Sequence, residues 1–245
     1  MNNNLENISV SGTKRDRSTI TTIAFSVLFC VIMIYSYKYI DNSLRTTTNS
    51  TIRSSTETSH ADIVRVTSNV LNAEVEALIS SYNIDGEPEA WANFIQSDAF
   101  SDFDSKVRAA VANTNVAKLK IYADDSITVY SSDLSQVGEA GTDIEHVTHA
   151  LRGRSSSQID FRDVFQSLDG ELRNVNIVSS YHPLSNSKGQ TFAVVEIYSD
   201  RTNEFKYSGD RAKSYSGRFL IFVSLAMSIW VGQILFAALR QRKSD

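Results

Sequence analysis

Cysteine is almost missing from this 245-residue chain: the one present, Cys30, lies inside an apolar run. The polar middle of the chain therefore has no disulfide, no thiolate metal site and no cysteine nucleophile. Proline and glycine are missing from Thr13 to Asp85, so nothing in that stretch breaks a helix. Charge is missing from two long runs, Ser18 to Tyr37 and Phe219 to Leu239. A basic excess is missing from the segment between them: residues 41–215 carry 16 Lys and Arg against 25 Asp and Glu. That balance argues against a nucleic-acid partner, which would require a basic stripe. No Gly-x-Ser-x-Gly elbow occurs, so the Ser, His and Asp residues present do not read as a hydrolase.

The two uncharged runs are 20 and 21 residues long. About 20 apolar residues span a hydrocarbon core as a helix, and lipid leaves no other way to pair the backbone of a single segment. Lys14, Arg15 and Arg17 precede the first run, and Arg240, Arg242 and Lys243 follow the second. The positive-inside bias puts both ends in the cytoplasm and the middle outside. Lys38, Arg45 and Arg218 oppose it weakly. The first run exceeds a signal-peptide core and lacks a small-residue cleavage site, so it reads as an uncleaved anchor. The expected layout is a cytoplasmic tail at 1–17, a transmembrane helix at 18–40, and an extracytoplasmic domain at 41–215. A second transmembrane helix at 216–239 and a tail at 240–245 complete it. Neither tail can bury a core, and all four histidines fall in the exported part.

Residues 41–60 are rich in Ser, Thr and Asn, yet nothing interrupts a helix there. From Ile63 the apolar positions Ile63, Val66, Val70, Ala73 and Ala77 recur at helical steps, widened by Leu71, Val75 and Leu78. Short helices are expected near Glu89–Gln96 and Asp102–Ala112. Val116–Tyr122 and Ile127–Tyr130 read as strands around an Asp124-Asp125 turn. An insertion at 132–154 carries a helix from Asp143, its expected N-cap, to Leu151, with Gly153 as the C-terminal cap. Three alternating strands follow, Gln158–Phe165, Val175–His182 and Phe192–Tyr198, the first pair joined at Asp169-Gly170. A final helix starting at Asp200–Thr202 runs into the second span. The order predicts an α+β fold, an antiparallel five-stranded sheet covered by helices.

Several short stretches carry a family likeness: Lys118 to Asp133, Ala150-Leu151-Arg152-Gly153, Tyr181-His182-Pro183-Leu184, and Val194 to Thr202. Together they resemble the Cache sensor domains, PAS-like modules also called PDC, found outside the membrane in bacterial receptors. The likeness is greatest to versions attached to diguanylate cyclases and sensor histidine kinases, and it covers residues 40–205. It implies a PAS-like sheet, a long N-terminal helix on one face and a ligand pocket on the other. No Gly-Gly-Asp-Glu-Phe loop or kinase core follows the second run, so enzymatic output is not carried over.

The expected pocket residues are polar or aromatic strand positions facing away from the long helix: Tyr130, Arg162, Tyr181, Glu196 and Tyr198. Arg162 suits an anion and Glu196 an amine, whereas simple ion pairing and core filling are the plainer roles for the same side chains. His146 and His149 have zinc-like spacing without a third ligand, so no metal or other cofactor is expected. The expectation is a non-enzymatic membrane sensor with a small-molecule ligand, acting as a homodimer or with a membrane signalling partner. The alternatives are a truncated cyclase or kinase, and a non-sensing scaffold.

Overall fold

The structure, a computed structural model, describes residues 5–81 and 88–242. The chain divides into two compact units, Met1–Thr47 with Tyr207–Asp245, and Thr48–Lys206.

Helix α1 (Leu5–Ser81) and helix α5 (Thr202–Arg242) contribute segments to both units. Both are long and apolar enough to cross a membrane, by length and composition. In the first unit their apolar side chains point outward: Phe25, Ile32 and Ile34 on α1, and Phe222, Leu225 and Ile229 on α5, are all more than half exposed. Such a surface is unfavourable in water by roughly 25 cal/mol per Å² and neutral in lipid. Phe29 and Trp230 meet within this unit, their ring centroids 6.3 Å apart.

The second unit is α+β. Its helices are the outer half of α1, α2 (Pro88–Ile95), α3 (Asp98–Val111) and α4 (Ile144–Leu151). Its strands are β1 (Lys118–Tyr122), β2 (Thr128–Ser131), β3 (Ser156–Ser167), β4 (Gly170–Ser185) and β5 (Thr191–Asp200). They form one antiparallel sheet in the order β2-β1-β5-β4-β3. This is the arrangement that the resemblance implies, with a long helix on one sheet face.

The main core lies on that face. Val64, Leu71, Val75 and Leu78 of α1 and Phe100, Phe103 and Val107 of α3 pack on Leu119, Ile121, Val195 and Ile197. Each fully buried aliphatic side chain contributes about 1.5–3 kcal/mol. Of the stripe expected, Leu71, Val75 and Leu78 are buried and Ile63 packs against the core, while the Val70 side chain lies outside the described residues. Val66 is 64% exposed, and Ala73 and Ala77 are also exposed. The face that packs inward runs through Thr56, His60, Val64, Leu71, Val75 and Leu78, so it begins with two polar residues. A periodicity count weights apolar positions and misses a buried face that is partly polar.

Helix α3 starts four residues earlier than expected because the Ser97 hydroxyl caps the Phe100 amide at 3.2 Å. The β3–β4 hairpin pairs Ser167 with Gly170, so Leu168-Asp169 is its loop and Gly170 supplies φ +118 just past it. Strand β4 continues past His182 through Pro183. Pairing with β3 begins only at Ser156–Tyr181, so the missing Pro183 N–H breaks no ladder on that side.

Candidate functional site

On the face away from α1, strand pairing lines up three side chains from adjacent strands. Lys120 of β1 is opposite Glu196 of β5, and Glu196 is opposite Tyr181 of β4. The rows on either side are Lys118–Tyr198–Ser179 and Tyr122–Val194–Pro183. Directly opposed residues have Cβ atoms about 5 Å apart, so each row is a contact unit. Helix α4 covers this face, with Val147 and Ala150 packed on Tyr122, Tyr181 and Val194.

Glu196 is 1% exposed. The Tyr122 hydroxyl donates to its Oε2 at 2.5 Å, and its Oε1 has no hydrogen-bond partner. Burial pushes the Glu196 carboxyl above its usual range. The Tyr122, Tyr181 and Tyr198 hydroxyls and the Lys120 charge pull the other way without overcoming it, and none of them closes on Oε1. Burial also raises the three tyrosine hydroxyls, so they remain protonated donors.

Asp143 stands at the N-cap of α4, yet its side chain caps nothing. Its Oδ2 instead accepts from the Tyr181 hydroxyl and from Gln158 Nε2, both at 2.9 Å. The expected capping carboxylate is thus turned into the site and latches α4 to β3 and β4. His146 stacks on the Tyr181 ring at 5.0 Å and 11°, and its Nδ1 hydrogen-bonds Ser156. Lys118 lies 4.7 Å from the Phe165 ring centroid and reaches Asp133 and Gln136; burial lowers its ammonium.

Of the five expected pocket residues, Tyr181, Glu196 and Tyr198 converge here. Tyr130 and Arg162 do not. Tyr130 lies on the helix side, wedged between Phe100 and Phe103, with its hydroxyl on Asp104 at 2.8 Å. Arg162 sits on the outer strand β3, about half exposed, paired with Asp160 at 3.1 Å. Lys120, Tyr122, Asp143 and Gln158 are site residues that the sequence reading passed over. The alternation Lys118-Leu119-Lys120-Ile121-Tyr122 carried the signal for two of them: with Leu119 and Ile121 in the core, Lys120 and Tyr122 must face the other way.

A second polar cluster ties α1 to the sheet. His60 is 1% exposed, its Nδ1 on Ser180 at 2.5 Å and its Nε2 on Ser199 at 2.7 Å. His182 bonds Ser180 and Ser155, and Ser157 donates to Glu57 at 2.5 Å. Burial, with the nearby His182 and Arg201 charges, holds His60 down to about 3, and burial lowers His182 also.

No protein-family model and no curated protein matches this sequence. Among solved structures, the chain is similar to the sensor domain of the Vibrio cholerae histidine kinase DctB, at 15% identity and a TM-score of 0.41. That match covers 71% of this chain and 60% of that structure. The chain is also similar to a sensory-box sensor histidine kinase from Vibrio cholerae (13% identity, TM-score 0.28, 44% of this chain and 98% of that one). A third is the PAS domain of Bordetella pertussis BvgS (11% identity, TM-score 0.26, 44% and 96%).

Proposed function

We propose that the protein is a two-pass sensor of a bacterial inner membrane. Both ends lie in the cytoplasm, and the α+β domain (41–215) faces the periplasm. It binds a small molecule on the α4-covered face and passes a displacement inward through α1 and α5. The observation that carries this reading is Glu196: a buried carboxyl with one oxygen that no protein group closes on, ringed by three tyrosines, is a polar point inside the fold at which a small guest can be held. Connectivity supports the output step. Strand β5 carries Glu196 and Ser199, and α5 begins at Thr202, whose amide is held by Asp200 at 2.8 Å. Ser199 is also bonded to His60 of α1. A shift of β5 is therefore felt at once by both long helices.

The site is closed, with Tyr122, Tyr181 and Glu196 at most 2% exposed. Ligand access therefore requires α4 to lift, breaking the Asp143 latch. Ligand binding shifts the protein only by the difference in affinity between its two states. The exposed stripe of α1, including Val66, Ala73 and Ala77, suits a second copy of the chain in the same membrane.

The test is a melting-temperature screen of the full chain in detergent against extracellular metabolites, repeated with Glu196→Gln. A sensor gains stability from at least one compound, and the variant loses the gain. No stabilising compound, or an undiminished gain in the variant, refutes the reading. Alkaline phosphatase fused near Ser187 should be active, and fused after Asp245 inactive; the reverse result overturns the orientation.

A further inference from the structure

Strand β3 is an edge of the sheet: it pairs with β4 on one side and with no other described strand. The backbone N–H and C=O groups that point outward along it are a template for another strand. The edge is open where it carries apolar side chains. Phe161, Arg162, Asp163 and Val164 are exposed in succession, Phe161 at 58% and Val164 at 51%. Natural edges of this kind are commonly guarded by charges of one sign, above all lysine, which repel a second copy. The charges of β3 are arranged differently. Asp160 and Arg162 flank Phe161 with opposite signs. Within one copy they meet at 3.1 Å on one face of the strand, both partly exposed, and such a pair holds its members weakly. Both are free to turn to a partner.

Antiparallel pairing of two β3 strands about a twofold axis through Phe161 matches this pattern. Phe161 then faces its own copy, apolar against apolar. Asp160 faces Arg162 of the second copy, and the symmetry makes that ion pair twice. Ile159 faces Asp163. The neighbouring registers do worse. The next one in either direction sets Phe161 against Asp160 or Arg162. The one beyond sets Asp160 or Arg162 against itself, and like charges directly opposite are destabilising.

We propose that β3 is an interface with a second copy of this chain, the two strands paired antiparallel with Phe161 at the twofold axis. The occupant is a second copy because the charge pattern of the edge is complementary to its own reverse. Backbone hydrogen bonds hold the pair, and the Asp160–Arg162 contacts set its register. The interface is distinct from the α1 stripe and does not depend on a ligand.

The test is disulfide trapping of the full chain in membranes, in a Cys30→Ala background. Phe161→Cys should cross-link into a dimer several-fold faster than Val164→Cys, although the two positions are similarly exposed. In the proposed register the two copies of residue 164 lie about 20 Å apart along the strands, at roughly 3.3 Å per residue. Asp160→Arg added to Phe161→Cys should slow the cross-link several-fold, because like charges then face each other. Adding Arg162→Asp as well should restore the rate, which a variant that had merely misfolded would not do. Equal rates at 161 and 164 overturn the pairing, since they report random collision. So does the absence of a dimer from Phe161→Cys, or a cross-link from it to other proteins alone. A charge-swapped chain no faster than Asp160→Arg by itself overturns the register and with it the proposal. Either result leaves the ligand reading where it stands.

Discussion

Acidification from pH 7 to pH 5 should weaken the α+β domain by about 2 kcal/mol through His60 alone. In the folded chain both ring nitrogens are engaged by Ser180 and Ser199, and the ring stays neutral down to about 3. Unfolded, the same ring titrates at its ordinary value of 6.5. Between these values the unfolded state binds the extra proton, so stability falls as pH falls. The contribution is complete above 6.5 and is lost progressively towards 3. By pH 5 the unfolded ring has gained about 1.5 pH units of protonation, at about 1.4 kcal/mol per unit. His182 is also lowered by burial and adds loss of the same sign, with Glu57 opposing it. The titratable groups acting on His60 are His182 from β4 and Arg201 just past β5, both of which disfavour its protonation. Guanidinium unfolding at pH 7, 6 and 5, followed by Trp91 fluorescence in a Trp230→Phe background, reads the effect directly. His60→Gln should start about 1–3 kcal/mol less stable at pH 7, since a serine hydroxyl loses its partner. It should then lose about 2 kcal/mol less than wild type on going to pH 5. Equal pH slopes in the two proteins would refute the buried neutral histidine.

Gly138 and Gly153 both hold positive φ, at 87° and 79°, but a Cβ on Gly138 would lie 2.8 Å from the Trp91 ring, whereas one on Gly153 meets nothing. Gly153→Ala should cost about 1–2 kcal/mol and Gly138→Ala clearly more, measured by chemical denaturation; equal costs would contradict the packing. Tyr130→Phe should cost about 1 kcal/mol by removing the donor to Asp104, with any ligand-induced melting shift unchanged. Ala73→Cys in a Cys30→Ala background should form an oxidative dimer in membranes, whereas Val75→Cys, 2% exposed against the sheet, should not.

Much of the fold was legible because its strands alternate and its turns are marked. The sheet, α4 and the uninterrupted course of α1 follow from period-2 alternation, from Gly153, and from the absence of Pro and Gly between Gly12 and Gly86. What failed to show were the places where tertiary partners outweigh local pattern. Asp143 carries the signature of an N-cap, but Tyr181 and Gln158 draw its carboxylate away. The buried stripe of α1 includes Thr56, whose hydroxyl turns back to the Ile52 carbonyl, and His60, whose ring nitrogens are met by Ser180 and Ser199 on the sheet. For the site, residue type found Tyr181, Glu196 and Tyr198. Tyr130 has the same chemistry on the opposite face, and β2 is too short for its alternation to reveal that. Lys120 was hidden because a lysine in a short strand reads as solvated, and only the pairing with Glu196 places it inside.

The central claim, that the α4-covered face receives the ligand, is tested most directly by hydrogen–deuterium exchange of the full chain with and without its best stabilising compound. The account predicts slowed exchange across Ile144–Leu151 and across Val194–Tyr198, with little change in α2 and α3. Protection confined to α2, α3 and the outer surface of α1, with α4 untouched, would contradict it.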